Sequence, residues 1–353
     1  MALYDYGNTR LRARLSDLLP IEKLESFAGL TTIESLISSL TKTTYKESIE
    51  QALTFAHGYE CVNQAMKITS SEIYQDLMRF YQDSELEKIR IIFYRNDLQN
   101  LKAIFRGIMH QIPIDQIIES FSHMGTLPEN TLHQLVKSDD LNDLINRMTV
   151  FQLPVSNPLL VLRSSKSMIR SAEIELAMEK WYFHEIQRLL KGSSEDTQLL
   201  RKFYNTEADI VNLNTALRFV GADKGKEEMG DRIGDYWIEG GDISIDRWNQ
   251  LIHFTPVEQM VKQLYNTRYK KYLAEAVNCY QTTGQLSEFE NQMRMYLLSW
   301  SAGLPSQYPL GIGVVLGFAA LKRSEIKNVR WIAKGIESGF EAAYIRENLE
   351  KIQ

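Results

Sequence analysis

Seven apolar residues recur at the same offsets three times along this 353-residue chain, and that triplication limits the fold more than any other feature of the sequence. The first set is Leu24, Phe27, Ala28, Ile33, Leu36, Ile37 and Leu40. The second is Leu132, Leu135, Val136, Leu141, Leu144, Ile145 and Met148, and the third is Trp248, Leu251, Ile252, Val257, Met260, Val261 and Leu264. Each set presents one face at i, i+3 and i+4, breaks, and resumes that face from Ile33, Leu141 or Val257, which predicts two short helices per copy. Alternation at a strand period is scarce. The expected fold is therefore all-α, with three similar helical domains near residues 1–115, 116–230 and 231–353.

The break within each copy carries a helix-start signal. Two residues before the second apolar face stand Thr31, Asp139 and Thr255, followed three residues later by Glu34, Asn142 and Glu258. This spacing predicts N-caps at Thr31, Asp139 and Thr255, capping boxes in the first and third copies, and Pro256 at the first helical position.

A second block recurs about 80 residues downstream of each anchor: an acidic residue, two others, Asn, then an apolar residue. It reads Asp97 to Asn100 and Leu101, Asp209 to Asn212 and Leu213, and Glu325 to Asn328 and Val329. On a helical wheel the acid and the Asn fall on the side of the apolar residues, where burial demands hydrogen-bond partners, such as a neighbouring helix terminus. Six residues past each Asn a base, Arg106, Arg218 or Lys334, falls on the opposite side and is a candidate contact for a partner protein. A weaker third element places Glu50, Glu175 and Glu290 between apolar residues; Glu50 is 50 residues from its Asn, against 37 and 38 for the others, which implies an insertion around residues 54–90.

The chemistry of an enzyme is not visible. His184-Glu185 lacks the second histidine of a zinc-protease helix, and Gly311, Gly313 and Gly317 have the wrong spacing for a phosphate-binding turn and read as packing glycines. Cys61 and Cys279 lie too far apart for a metal or redox motif. No catalytic, cofactor-binding or metal-ligating residue is nominated, and no small-molecule substrate. A formal charge of −5 gives no overall basic field for nucleic acid. The opening residues place Asp5, Arg10, Arg12 and Arg14 where a secretory signal needs an apolar run, so a cytoplasmic setting is expected. Met295 to Leu321 contains no charge, but its central glycines and prolines predict two buried helices joined by a turn rather than a membrane span.

The run from Tyr308 to Leu349, above all Glu325-x-x-Asn328-Val329-Arg330-x-Ile332-Ala333-Lys334-Gly335, resembles the closing segment of the central-stalk C subunits of archaeal and bacterial A/V-type ATPases, the counterparts of the d subunits of vacuolar enzymes. Tyr6 to Leu19, with its Asn-x-Arg-x-Arg sequence, is similar to that family's opening helix. The sequence departs at Gly317-Phe318, where Ala-Tyr is commoner, and at Arg218-Phe219-Val220 before the glycine of the middle block. The resemblance implies a pseudo-threefold funnel of three helical domains, peripheral on the inner face of the membrane. It would link the central shaft to the membrane rotor ring and transmit torque for H+ or Na+ transport coupled to ATP. No catalytic residues come with that role. The other reading of the repeats is an independent helical scaffold that binds protein partners.

Overall fold

The computed structural model describes residues 4–165, 169–221 and 234–352, and all regular structure among them is helical. After α1 (Asp5–Ser16) come two short helices, α2 (Ile21–Phe27) and α3 (Ile33–Leu40), then α4 (Lys46–Ala52) and two long helices, α5 (Gly58–Phe80) and α6 (Asp83–Met109). A small helix, α7 (Ile114–Glu119), precedes a similar succession: α8 (Glu129–Leu135), α9 (Leu141–Val150), α10 (Ser156–Ser165), α11 (Ser171–Leu189) and α12 (Glu195–Gly221). The rest of the chain is α13 (Ile245–Leu251), α14 (Val257–Lys262), α15 (Lys270–Thr283), α16 (Ser287–Ala302), the single turn α17 (Leu304–Gln307), α18 (Gly313–Glu337) and α19 (Ala342–Glu347).

The helices pack into two compact units. One comprises the chain up to Asp97, residues 122–126 and the chain from Leu298 onward; the other comprises residues 98–121 and 127–297. In the first unit the core is built on α2 and α3, whose apolar faces meet Ile326, Val329, Ile332 and Ala333 of α18. In the second, Leu213, Ala216, Leu217 and Val220 of α12 pack on Trp248, Leu251, Val257 and Met260 of α13 and α14. In each core a long helix that carries the acid-x-x-Asn block thus covers a pair of short ones. Every anchor position is buried except Leu141, which is half-buried.

The uncharged stretch from Met295 to Leu321 forms no continuous span. It is broken between α16 and α17 and again between α17 and α18, and no helix among the described residues is long and apolar enough to cross a membrane. Gly317 belongs to this bend. A Cβ there would stand 2.3 Å from the Pro305 ring and 3.0 Å from the Ser301 carbonyl, so the departure from the commoner alanine is a packing requirement of α17 against α18.

The caps stand one residue later than predicted. Thr32, not Thr31, caps α3 by accepting from Ser35 N–H at 3.2 Å, and Asp140, not Asp139, caps α9 by accepting from Asp143 N–H at 2.8 Å. In the third copy Pro256 is itself the N-cap of α14 and no side chain bonds the first turn, so Thr255 is not a cap and no capping box forms with Glu258. The reason is that the first apolar residue of each second helix is also its first helical residue. Ser244, which accepts from Arg247 N–H at 3.3 Å, caps α13 instead. Asp140→Ala is expected to cost about 1 kcal/mol and Thr255→Ala clearly less in urea unfolding.

Candidate functional site

In the second unit the polar block lies midway along α12. Asp209 and Asn212 are both 0% exposed, one turn apart on the face toward the chain that enters α13. Asn212 holds one residue at both ends: its Nδ2 donates to the Ile238 carbonyl and its Oδ1 accepts from Ile238 N–H, each at 2.8 Å. Asp209 Oδ1 accepts from Ile243 N–H at 2.9 Å, and Oδ2 accepts from the Tyr269 hydroxyl at 2.6 Å. The approach is close enough to require Gly241, where a Cβ would fall 2.2 Å from Asp209 Oδ1.

Burial pushes the Asp209 carboxyl up, and the Tyr269 hydroxyl and Ile243 N–H pull it back. Burial, then the charge of Asp209, pushes the Tyr269 phenol up, so at neutral pH it stays a donor. Arg268 closes the cluster with bonds of 2.8 Å to the Tyr269 oxygen and to Asp242.

The first unit contains a matching arrangement on α18. Glu325 accepts from Leu19 N–H, from the Tyr45 hydroxyl at 2.5 Å and from Lys322 Nζ at 2.6 Å. Lys322 also lies 4.3 Å from the centroid of the Tyr45 ring, a cation–π contact inside the core. Asn328 Nδ2 donates to the Glu350 carbonyl at 3.0 Å, while its Oδ1 accepts from Glu350 N–H at 2.8 Å. In the remaining block Asp97 and Asn100 are 8% and 2% exposed on α6, and Asp97 accepts from the Thr126 hydroxyl at 2.5 Å.

These carboxylates and amides therefore bind groups of their own chain, most of them backbone. The peptide groups held by Glu325 and Asp209 lie just ahead of helix starts at Leu19 and Ile243, next to the caps Pro20 and Ser244. Among the described residues no three His, Cys, Asp or Glu side chains cluster in a way that could hold a metal ion. Sequence reasoning missed the two tyrosines, although a signal existed. Tyr45 and Tyr269 each stand 21 residues after Leu24 and Trp248, and Leu19 and Ile243 each stand five before them.

The three bases are exposed, as the wheel placed them. Arg106 makes a two-point bond to Glu175 at 2.7 and 2.6 Å, Arg218 pairs with Glu290, and Lys334 lies 3.4 Å from Glu337 and 5.1 Å from the Tyr59 ring centroid. Glu175 and Glu290, from the weak third element, thus have a role on α11 and α16. Glu50 does not share it: it sits on α4, 3.9 Å from Lys46, and the whole of α5 lies between it and α6, whereas Glu175 lies on the helix directly before its own block.

The Arg106 hydrogen bonds hold the Glu175 carboxyl below its usual range. A lowered folded pKa gives stability that is present above the unfolded value of about 4.3 and is lost as pH falls through the folded one. With Arg106 57% exposed, a double-mutant cycle to alanine should give a coupling of about 0.5 kcal/mol at pH 7, which salt weakens and which fades as acid protonates Glu175.

Residues 7–348 match the family model described as "ATP synthase (C/AC39) subunit". The C subunit of the A-type ATP synthase of Methanocaldococcus jannaschii is 21% identical over 351 residues, which is 99% of this chain and 86% of the relative. The corresponding A-type ATP synthase protein of Methanosarcina acetivorans is 24% identical, covering 98% and 92%, and that of Haloquadratum walsbyi is 23% identical, covering 97% of each. With a match from the opening helix α1 to the end of α19, the chain belongs to the ATP synthase (C/AC39) subunit family.

Proposed function

We propose that this chain is a non-catalytic connector of an A/V-type rotary ATPase, seated on the inner face of the membrane between central shaft and rotor ring, and that it transmits torque for H+ or Na+ transport. The observation that carries the reading is the extent of the match, which spans 97–99% of this chain and 86–97% of three relatives named as C subunits of A-type ATP synthases. The placement of the motif residues supports it: each acid of the block spends its charge on its own chain, as a load-bearing core requires and a reactive site does not. The reading includes three repeats near 1–115, 116–230 and 231–353, closed as a pseudo-threefold funnel, and the recurrent succession of two short helices followed by longer ones supports the repetition. An independent scaffold has no comparable support.

Arg106, Arg218 and Lys334 are proposed contacts of neighbouring subunits. Because Arg106 and Arg218 pair with carboxylates on other helices, reversing them also disturbs the packing, whereas the ion pair of Lys334 is with Glu337 one turn along the same helix, and Lys334 is the cleaner probe. The chain, tagged and coexpressed with its ATPase partners, is expected to bring down both the ATPase head and the membrane ring. Lys334→Glu should weaken that recovery more steeply with salt while circular dichroism stays unchanged. Recovery of the unmodified chain alone, without shaft or ring, would overturn the connector reading; equal recovery of Lys334→Glu would remove only that contact.

A further inference from the structure

The amide of Asn328 performs the same operation as that of Asn212, yet on a differently connected piece of chain. In the second unit the acid and the amide read one continuous stretch, Ile243 and Ile238, which leads directly into α13. In the first unit the acid reads Leu19 while the amide reads Glu350, so two distant stretches share the work. The place that the entering segment fills in one core is filled in the other by residues that follow α19.

That segment is gripped through side chains as well as backbone. Glu350 pairs with Lys327 at 2.6 Å and Lys351 pairs with Glu25 at 2.7 Å. Ile352, 40% exposed, lines an open cleft with Leu18, Leu19, Ile21 and Leu24. Backbone is held at both polar groups of one residue, and three successive side chains each meet a complementary feature: a base, an acid and an apolar cleft. This division of labour, with main-chain bonds for affinity and side-chain sites for specificity, is that of a receptor for an extended peptide. Asn328 is 3% exposed, so an unoccupied slot would leave its amide without the bonds that burial demands.

We infer that Asn328, Lys327, Glu25 and the adjoining cleft form a peptide-binding site that reads an extended acid–base–apolar sequence. Its resident ligand is the chain's own Glu350-Lys351-Ile352, and the same sequence supplied on a separate molecule takes its place when the resident is removed.

The test is a chain ended at Leu349, with a synthetic peptide of residues 346–352 added in trans. Shortening should lower the thermal midpoint by about 1 to 4 °C, the shift that follows from stranding a buried amide in a chain of this length. Added peptide should raise the midpoint back in a saturable way. A peptide with Glu350→Lys should bind at least about tenfold more weakly, since its charge then opposes Lys327. Asn328→Asp in the shortened chain should abolish rescue, because a carboxylate cannot donate to the carbonyl. Failure of the peptide to shift a folded shortened chain, or equal rescue with Asn328→Asp, overturns the proposal. Should the shortened chain not fold, Lys351→Glu in the full chain loosens the resident against Glu25. Fluorescent peptide should then bind this variant more tightly than the unmodified chain, and equal or absent binding overturns the site.

Discussion

Glu325→Ala is expected to destabilise the chain by about 3 to 5 kcal/mol, because it removes one partner of a buried ion pair and leaves the other charged. Lys322 is 7% exposed and Glu325 is 4% exposed. Without the carboxylate, the ammonium keeps only the Tyr45 ring, while Leu19 N–H and the Tyr45 hydroxyl lose their acceptor. The cause is separable from simple loss of packing. Replacing the set together, as Glu325→Leu with Lys322→Leu and Tyr45→Phe, should recover most of the loss, since an apolar replacement strands no charge. Urea unfolding of the single and triple variants measures both. A triple variant no more stable than Glu325→Ala would show that the ion pair itself, and not the stranded lysine, supplies the stability.

Trp248→Ala should be comparably damaging, at about 3 to 5 kcal/mol, by opening a cavity at the centre of the second unit. The indole is 0% exposed, its ring meets Phe219 edge-on at 6.3 Å, and its Nε1 donates to the Asn212 carbonyl at 2.8 Å. Trp248→Phe keeps much of the volume and loses that bond, so about 1 kcal/mol is expected. Calorimetry of both variants would show the order. If Phe costs as much as Ala, the hydrogen bond to α12, rather than the filled volume, is the dominant contribution of this residue.

The sequence located what depends on neighbouring positions along the chain. The anchors Leu24, Leu132 and Trp248 and the residues that follow them lie on two short helices each, because a 3.6-residue period is a local property that the core must respect. The wheel also put Asp209, Asn212, Glu325 and Asn328 on the buried side and Arg106, Arg218 and Lys334 in solvent. Local reasoning failed by one residue at the caps, where the choice between Thr31 and Thr32 depends on where the backbone turns into the helix. It failed at Glu50 for a related reason, since a short motif can recur on a helix of different length and place.

The sequence by itself thus determined the helical class, the positions of the apolar faces and the family, because these rest on periodicity and on residues in register over the length of the chain. Only the tertiary structure decided what the buried polar groups are for. Asn212 finds Ile238, Asn328 finds Glu350 and Glu325 finds Leu19 across separations of 26, 22 and 306 residues. A buried amide or carboxylate must be satisfied, but its hydrogen-bonding capacity is the same whichever peptide group satisfies it, so the choice of partner is made by the packing that brings one backbone within reach.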